Sequence, residues 1–330
     1  MRCPELRELP APPPSASIWP WNGQSEPLPD RLPNGFAWPR ISIVTPSYNQ
    51  AEFLEETIRS VLLQGYPDLE YFVLDGGSTD GSVDIIKKYS KWLTYWVSER
   101  DEGQTDAINK GLERATGSIV NWLNSDDVFF MGTLKRVALA YSDDPSANLY
   151  NGSAVRIEKD GTFGSPYAAQ PLTPEHAFVG KVSLPQPSIF FRRDIWLAQG
   201  RLKKHLQFAM DTELFFSSII RGNSHIIGGP PLSMMRIHEH AKTVIPANKR
   251  PIFLERYNIL LNLINDPNTP QSVQKHLRYG LNRECLRLAR AALAEKGNFA
   301  EAISWFMRGF GHSPKKTVHH LQEVLLGYLP

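Results

Sequence analysis

Two adjacent carboxylates, Asp126 and Asp127, close the stretch Asn121-Trp122-Leu123-Asn124-Ser125-Asp126-Asp127, after an apolar run from Ser118 to Leu123 that reads as a buried strand. Neighbouring carboxylates repel, so the pair is costly unless water, a hydrogen-bond donor or a cation neutralises it. A hard divalent cation such as Mg²⁺ or Mn²⁺ would do so, and would also hold a diphosphate. Strand ends at the rim of a parallel sheet are where ligands bind in open α/β folds. The bland alternative is that the pair caps a helix beginning near Met131, with Val128 to Phe130 as the approach.

The elements around that stretch decide between the two. From Arg40 the chain alternates strand and helix: Ile41 to Thr45 is a β-branched run ending in Pro46-Ser47-Tyr48-Asn49, followed by an amphipathic stretch to about Gln64. Asn49 and Glu52 have the spacing of a capping pair. Tyr71 to Leu74 is a second strand, broken at Asp75-Gly76-Gly77-Ser78-Thr79-Asp80-Gly81, with a helix to about Tyr89. A third strand, Leu93 to Ser98, leads through Arg100-Asp101-Glu102-Gly103 into a helix with Gln104, Asp106, Asn109 and Lys110. Short connections between alternating elements predict a parallel sheet with right-handed crossovers. The turns after all four strands then face one cleft.

Beyond Thr133 a helix to about Tyr141 precedes a hairpin, Asn148 to Ile157 and Gly161 to Phe163. Pro187 to Phe191, Ser224 to Ile227 and Leu232 to Ile237 read as strands, and a helix opening at Phe208-Ala209-Met210-Asp211-Thr212-Glu213 runs through Ile220. From about Ala247 the pattern is helical. One helix through Leu281, Cys285, Leu288 and Ala292 and a second, Ala300 to Arg308, separated at Gly297-Asn298, form a pair like one tetratricopeptide unit. Residues 1–39 are rich in proline, so an extended arm is expected there, with Trp19, Trp21 and Trp38 packing on the domain surface. The expected organisation is this arm (1–39), an α/β domain (40–245) and a C-terminal helical region (246–330).

Composition narrows the class. The 330 residues are 42% hydrophobic and 21% charged with a formal net charge of +2, an ordinary globular balance that gives no case for nucleic acid. Cys3 and Cys285 cannot build a disulfide framework, which suits a reducing cytoplasm. No apolar run reaches the roughly 20 residues that span a bilayer. Glu5, Arg7 and Glu8 are unlike a secretory leader. A cytoplasmic protein is expected, with peripheral contact at the inner face of a membrane as an option through Lys315, Lys316, His319 and His320. The glycines at 76, 77 and 81 do not match the dinucleotide fingerprint, and no Walker-type phosphate loop occurs.

Four motifs in order, Pro46-Ser47-Tyr48-Asn49, Asp75 to Gly81, Gly103-Gln104-Thr105-Asp106-Ala107-Ile108-Asn109-Lys110-Gly111 and Asn124-Ser125-Asp126-Asp127, resemble family 2 glycosyltransferases of the GT-A fold over about residues 40–245. The resemblance implies an α/β, Rossmann-like mixed sheet flanked by helices. It also implies an inverting transfer of a sugar from a nucleoside diphosphate donor, UDP in the family's commonest case, to a saccharide or lipid-linked saccharide acceptor in bacterial surface polysaccharide or glycoconjugate assembly. By the same resemblance Thr45, Pro46, Tyr48 and Asp75 serve the nucleoside, with Gln104, Asp106, Lys110, Asn124, Ser125 and Asp126 also on the donor side. Asn124 stands where the family has the first aspartate of its Asp-x-Asp motif, leaving Asp126 and Asp127 as cation and ribose contacts. Met210-Asp211-Thr212-Glu213 resembles the acceptor-side acidic motif, with Asp211 as general base. Arg236-Ile237-His238 resembles the segment over the diphosphate, giving Arg236 a leaving-group role and His238 a place on the metal or a phosphate.

Attack at the anomeric carbon expels a diphosphate whose growing charge a cation stabilises. That leaving group is weakly basic, so one base suffices, unlike the paired carboxylates of a glycosidase. Structural readings stand beside these: a first-turn helix carboxylate for Asp211, a hydrogen-bonded core histidine for His238 and an i,i+4 ion pair for Asp106 and Lys110. His240, Lys242 and Glu213 have no assigned role. Two rival classes are a sugar-nucleotide pyrophosphorylase, which needs a glycine-rich basic loop after the first strand that Pro46 to Asn49 does not supply, and an inactive sugar-nucleotide or partner-binding protein with C-terminal helices that mediate oligomerisation.

Overall fold

The computed structural model describes residues 1–14, 16, 18–242, 244–294 and 298–318. Strands β1 (Ile41–Ser47), β2 (Leu69–Asp75), β3 (Tyr95–Ser98) and β4 (Ile119–Trp122) alternate with helices α1 (Ala51–Leu62), α2 (Ser82–Tyr89) and α3 (Gln104–Arg114). Then follow β5 (Val128–Phe129), α4 (Thr133–Asp143), β6 (Leu149–Gly152), β7 (Ala154–Glu158), β8 (Phe163–Tyr167), α5 (Pro174–Ala177), β9 (Ile189–Arg192), α6 (Arg193–Ala198), α7 (Met210–Arg221), β10 (Ser224–Ile227) and β11 (Ser233–Ile237). Helices α8 (Lys249–Asn265), α9 (Gln274–Ala294) and α10 (Phe299–His312) complete the described chain.

Seven strands form a mixed sheet in the order β10-β6-β9-β4-β1-β2-β3. The four predicted strands are parallel, with Ser47 opposite Asp75 and Asp75 opposite Ser98, so their C-terminal ends share one rim. Strand β9 runs antiparallel to both β4 and β6, which makes the sheet mixed. Every residue of β1, β2 and β4 is buried, as expected for strands covered on both faces by crossover helices. Helix α3 approaches the sheet closely at Gly111, where an added Cβ would lie 2.5 Å from Val44 Cγ1.

A second sheet, β5-β11-β7-β8, removes one alternative and corrects one expectation. Val128 to Phe130 is not a helix approach, because β5 pairs antiparallel with β11 and ties the segment after Asp127 to that sheet. The expected long hairpin arm, Asn148 to Ile157, is two strands: β6 belongs to the first sheet and β7 to the second, with Ser153 between them. The run from Leu149 to Ile157 carries no local mark, apart from Gly152-Ser153, of where the chain changes sheet.

Two compact units divide the chain discontinuously: Met1–Pro171, Leu184–Lys204 and Asn223–Ile237 in the first, Leu172–Ser183, His205–Gly222 and His238–Pro330 in the second. Residues 1–39 lie in the first and α7 in the second, so these units cut across the boundaries at 39/40 and 245/246. The arm packs on its unit through a fully buried arginine of α1. The Arg59 guanidinium donates to the carbonyls of Pro10 (2.9 Å) and Pro20 (3.2 Å) and to the Tyr89 hydroxyl (3.0 Å), and sits over the Trp21 ring. A buried guanidinium must have its donors met, and an extended proline-rich segment supplies the carbonyls without using them in a helix.

In the second unit α9 and α10 form the expected helix pair, α10 being longer than predicted. Asn298 caps it by accepting the Glu301 N–H, and Asn282 reaches the Gly309 carbonyl at 2.9 Å. Gly297, His319 and His320 lie outside the described residues.

Candidate functional site at the rim of the parallel strands

The turns after β1 to β4 are stitched to one another. The Gly76 N–H donates to the Ser47 carbonyl (2.8 Å) and the Glu99 N–H to the Asp75 carbonyl (3.0 Å). Asn49 adopts φ 51°, donates its N–H to Ser78 Oγ (2.7 Å) and accepts the Thr79 N–H at its own Oδ1 (2.9 Å). It therefore does not cap α1, contrary to its spacing with Glu52. Asp80 does so from the neighbouring loop, accepting the Ala51 N–H at 2.9 Å. A cross-loop cap satisfies the helix end and fixes the loop together.

Asp75 organises the loop after β2. Its buried carboxylate accepts from the Gly77 N–H (3.1 Å), the Ser78 N–H (2.9 Å), Ser78 Oγ (2.5 Å) and Ser98 Oγ (2.7 Å). Three of these donors converge on Oδ2 and one on Oδ1, so the carboxylate is well satisfied by its own loop and β3, with accepting capacity left on Oδ1. Gly77 has φ +85°, the left-handed conformation that lets its amide turn inward, which explains the glycine. Beside Asp75 in register, the buried Ser47 hydroxyl has no partner among the described residues. Thr45 is buried and bonded to the Tyr71 hydroxyl at 3.0 Å, Pro46 is buried within β1, and the Tyr48 ring is 62% exposed just past the strand.

The turn after β4 is built differently. Asn124 accepts from Gln104 Nε2 at 2.8 Å and donates to Asp127 Oδ2 at 3.2 Å, linking the third and fourth turns. An aspartate at 124 could not donate, and would add a carboxylate beside Asp127, so the asparagine has a structural reason. Asp127 is buried, and its other oxygen accepts the Arg236 N–H at 3.0 Å. Burial, with the Asp126 carboxylate adjacent, pushes the Asp127 carboxyl well above the ordinary range, against the pull of the Arg236 and Asn124 donors. Asp126 is half-buried and Ser125 buried. Neither aspartate caps α4, whose first residue is Thr133.

Arg236 has a positioning place. Its side chain, 3% exposed, donates from Nε to the Asp126 carbonyl (3.0 Å), from one terminal nitrogen to the carbonyls of Glu158 (3.4 Å) and Lys159 (3.1 Å), and from the other to Glu56 Oε2 (2.5 Å). A guanidinium engaged this fully holds the Asp126–Asp127 turn against β11 and α1, and is not arranged to meet a leaving group. Burial raises the Glu56 carboxyl above its usual range although the arginine pulls it down. Sequence reasoning placed Ser47 in the first motif without a role, and did not find Glu56, Ser98 or Thr57, whose Oγ1 donates to the Asp127 carbonyl at 2.8 Å. Glu56 and Arg236 are 180 positions apart, and no local pattern announces that pairing.

Asp106 and Lys110 form the i,i+4 pair at 3.2 Å, but the aspartate is buried, and Lys204 also reaches it. Burial raises its carboxyl, while Lys204, the Glu102 N–H and Lys110 outweigh that and hold it below the usual range. Its charge is matched inside the protein, which favours the ion-pair reading over a donor contact.

In the second unit Asp211 is the second residue of α7. The amides before that helix, Gln207, Phe208 and Ala209, donate to the Glu255 carboxylate at 2.7, 2.9 and 2.8 Å, so Asp211 is not needed as a cap. Crowding protein atoms raise its carboxyl above the ordinary value, partly offset by the Thr212 N–H and by Arg256, while its surface stays partly accessible. His238 is buried, its ring 6.2 Å from that of His240.

Among the described residues no three His, Cys, Asp or Glu side chains gather as a protein-only metal site. Mg²⁺-type ions are commonly held by one or two carboxylates together with substrate phosphates. The hard oxygen donors of Asp126 and Asp127, adjacent at one strand end, fit that arrangement. No helix among those residues is long and apolar enough to cross a membrane.

Comparison with known proteins agrees with this architecture. Residues 42–192 match the family model described as Glycosyl transferase family 2. The glycosyltransferase TuaG of Bacillus subtilis, named for teichuronic acid biosynthesis, is 35% identical over 127 residues, covering 38% of this chain and 50% of that protein. An uncharacterized glycosyltransferase of Rickettsia typhi is 26% identical over 234 residues, 67% of this chain and 70% of that one. The chain thus spans about half the length of TuaG and more of the Rickettsia protein. Among solved structures, Staphylococcus aureus TarS 1–349 in complex with UDP-GlcNAc superposes with a TM-score of 0.67 at 18% identity, covering 84% of this chain and 82% of that one. The mannosyltransferase PcManGT of Pyrobaculum calidifontis, in complex with GDP-Man and Mn²⁺, gives 0.57 at 18% identity, covering 93% and 83%. The match over residues 42–192, just under half of the chain, makes that segment similar to glycosyltransferase family 2, and the superposition on TarS shows that the mixed sheet with its four stitched turns shares the fold of that structure.

Proposed function

We propose that the protein is an inverting, metal-dependent glycosyltransferase that moves a hexosyl group from a nucleoside diphosphate sugar, UDP-linked by preference, to a hydroxyl of a saccharide or lipid-linked saccharide in cell-surface polysaccharide assembly. The carrying observation is the adjacent carboxylates of Asp126 and Asp127, the second buried and pushed well above the ordinary range by burial and by the first, at the rim where the turns after β1, β2 and β3 converge. The orphaned Ser47 hydroxyl beside Asp75 is a group that a nucleoside could satisfy. TuaG's name and the UDP-GlcNAc complex of TarS support the substrate class, and the PcManGT complex supports Mn²⁺.

The acceptor oxygen attacks the anomeric carbon, the bond from that carbon to the diphosphate oxygen breaks, and the acceptor proton passes to Asp211. A base whose affinity for protons is raised by burial is better matched to taking a proton near neutrality than an ordinary aspartate. A divalent cation bound at Asp126 and Asp127 would offset charge on the departing diphosphate. Tyr48 would cover the nucleoside, and Asp75 would shape the loop beside it. Arg236 and Asn124 hold the turn from behind, while Asp106 and Lys110 brace α3.

The deciding experiment measures thermal stability against UDP, GDP and TDP with and without Mn²⁺, followed by release of nucleoside diphosphate from the corresponding sugar donors. A donor that stabilises only with Mn²⁺, and whose hydrolysis Asp126→Ala abolishes, is the expected result. Stabilisation by no nucleotide under either condition would sink the proposal and favour the partner-binding reading.

A further inference from the structure

Helix α10 has one face in the protein and one without a described partner. Ala302 and Gly309 are buried, Gly309 so close to α9 that a Cβ there would stand 3.2 Å from Cys285 Cβ. On the other side Phe299, Ile303, Met307 and Phe310 are 69%, 62%, 59% and 40% exposed. Spacings of four, four and three place them in one strip about 16 Å long. Single exposed apolar residues are ordinary, but a continuous strip marks an interaction surface.

The charge around the strip indicates its partner. Residues 246–330 carry twelve lysines and arginines against six acidic residues, whereas residues 1–245 carry twenty-four against twenty-eight. Between Phe299 and Val318 the sole acidic residue is Glu301, which is paired with Arg250. Arg308, Lys315 and Lys316 are exposed along or just beyond the strip. Two copies meeting strip to strip would bring these cations together with no carboxylate to match them, so a second copy is disfavoured. An anionic lipid surface offers both an apolar layer and opposite charge.

We propose that α10 docks on an anionic lipid bilayer surface, with Phe299, Ile303, Met307 and Phe310 in the boundary between headgroups and acyl chains and Arg308, Lys315 and Lys316 against lipid phosphates. This goes beyond the sugar-transfer reading and does not depend on it. Such docking would confine the protein to two dimensions, where lipid-linked acceptors reside.

The test is co-sedimentation of the full chain with vesicles of phosphatidylcholine alone and of equal parts phosphatidylcholine and phosphatidylglycerol, at low and high salt. Binding is expected only to the second kind and should weaken as salt screens the charges. The double variant Ile303→Glu/Met307→Glu should lose at least roughly tenfold in partitioning, since charged groups are costly in an apolar layer. Lys315→Gln/Lys316→Gln should lose several-fold. Both pairs are exposed, so an unchanged melting temperature checks the fold. Three results overturn the proposal: no binding of the parent to anionic vesicles, undiminished binding of the Ile303→Glu/Met307→Glu variant, or a parent dimer in light scattering that this variant converts to monomer. Donor hydrolysis is read in solution without vesicles, so these failures leave the proposed reaction standing.

Discussion

Two carboxylates buried at the same rim are handled in opposite ways. Asp75, after β2, is wrapped by four donors from its own loop and β3, so its charge shapes the backbone around it. Asp127, after β4, has two donors, a second carboxylate as its sequence neighbour and an arginine spent mostly on carbonyls and Glu56. The first is met by donors of its own loop and the neighbouring strand; the second has fewer donors, and burial beside Asp126 pushes its carboxyl well above the ordinary range. Burial of an acidic residue therefore does not mark function by itself. What matters is whether the protein's own donors have already answered it.

A third carboxyl extends the comparison. Asp211 is raised by burial, which the Thr212 N–H and Arg256 offset only in part, and Asp211→Asn is expected to lower the transfer rate by about 10² to 10⁴ while donor affinity is retained. The base must be ionised, so the parent's kcat/KM should fall as pH drops through a value above an ordinary aspartate's, and that limb should vanish in the variant. In stability the sign is reversed: a carboxyl with a raised folded pKa stabilises the fold while protonated, below its unfolded pKa, and that contribution is lost as pH rises through the folded value. Unchanged transfer by Asp211→Asn would remove the base assignment.

Asp126→Ala should lower transfer by about 10² to 10³, the scale for losing one stabiliser of developing charge. Loss of the Asp126 carboxylate relieves its repulsion with Asp127, so Asp126→Ala should lower the melting temperature less than Asp75→Ala does. An Asp126→Ala variant that melts lower than Asp75→Ala yet still transfers would reverse the distinction between the two turns. Asp75→Ala leaves four donors facing a gap and should cost on the order of 2 kcal/mol. For a chain of this size that is roughly 3 °C in melting temperature, readable by calorimetry. The smallest effect is expected from Glu56→Gln. Its side chain is 22% exposed and glutamine can still accept from Arg236, so about 1 kcal/mol in stability is expected, with donor affinity weakened more than in an exposed control such as Glu113→Gln.

The parallel half of the main sheet was legible because apolar runs and turn residues recur with short spacing from Ile41 to Trp122, and each crossover is local. The second sheet was not, since β5 and β11 pair across about a hundred residues and β5 is two residues long. Candidate residues show the same limit. Asn49 has the right letters for a cap, yet the cap comes from Asp80; Arg236 has the right letters for a phosphate contact, yet its donors point at carbonyls and Glu56.

By itself the sequence determined which residues stand at strand ends, because hydrophobic periodicity and glycine-bearing breaks are local properties of the chain. It determined with them the family resemblance that the match over residues 42–192 upheld. Tertiary structure alone decided how each charge is answered: Asp75 by its loop, Asp106 by Lys110 and Lys204, Arg236 by Glu56, and Asp127 only in part. Charge compensation acts across a few ångströms of space, and those few ångströms can join residues separated by most of the chain.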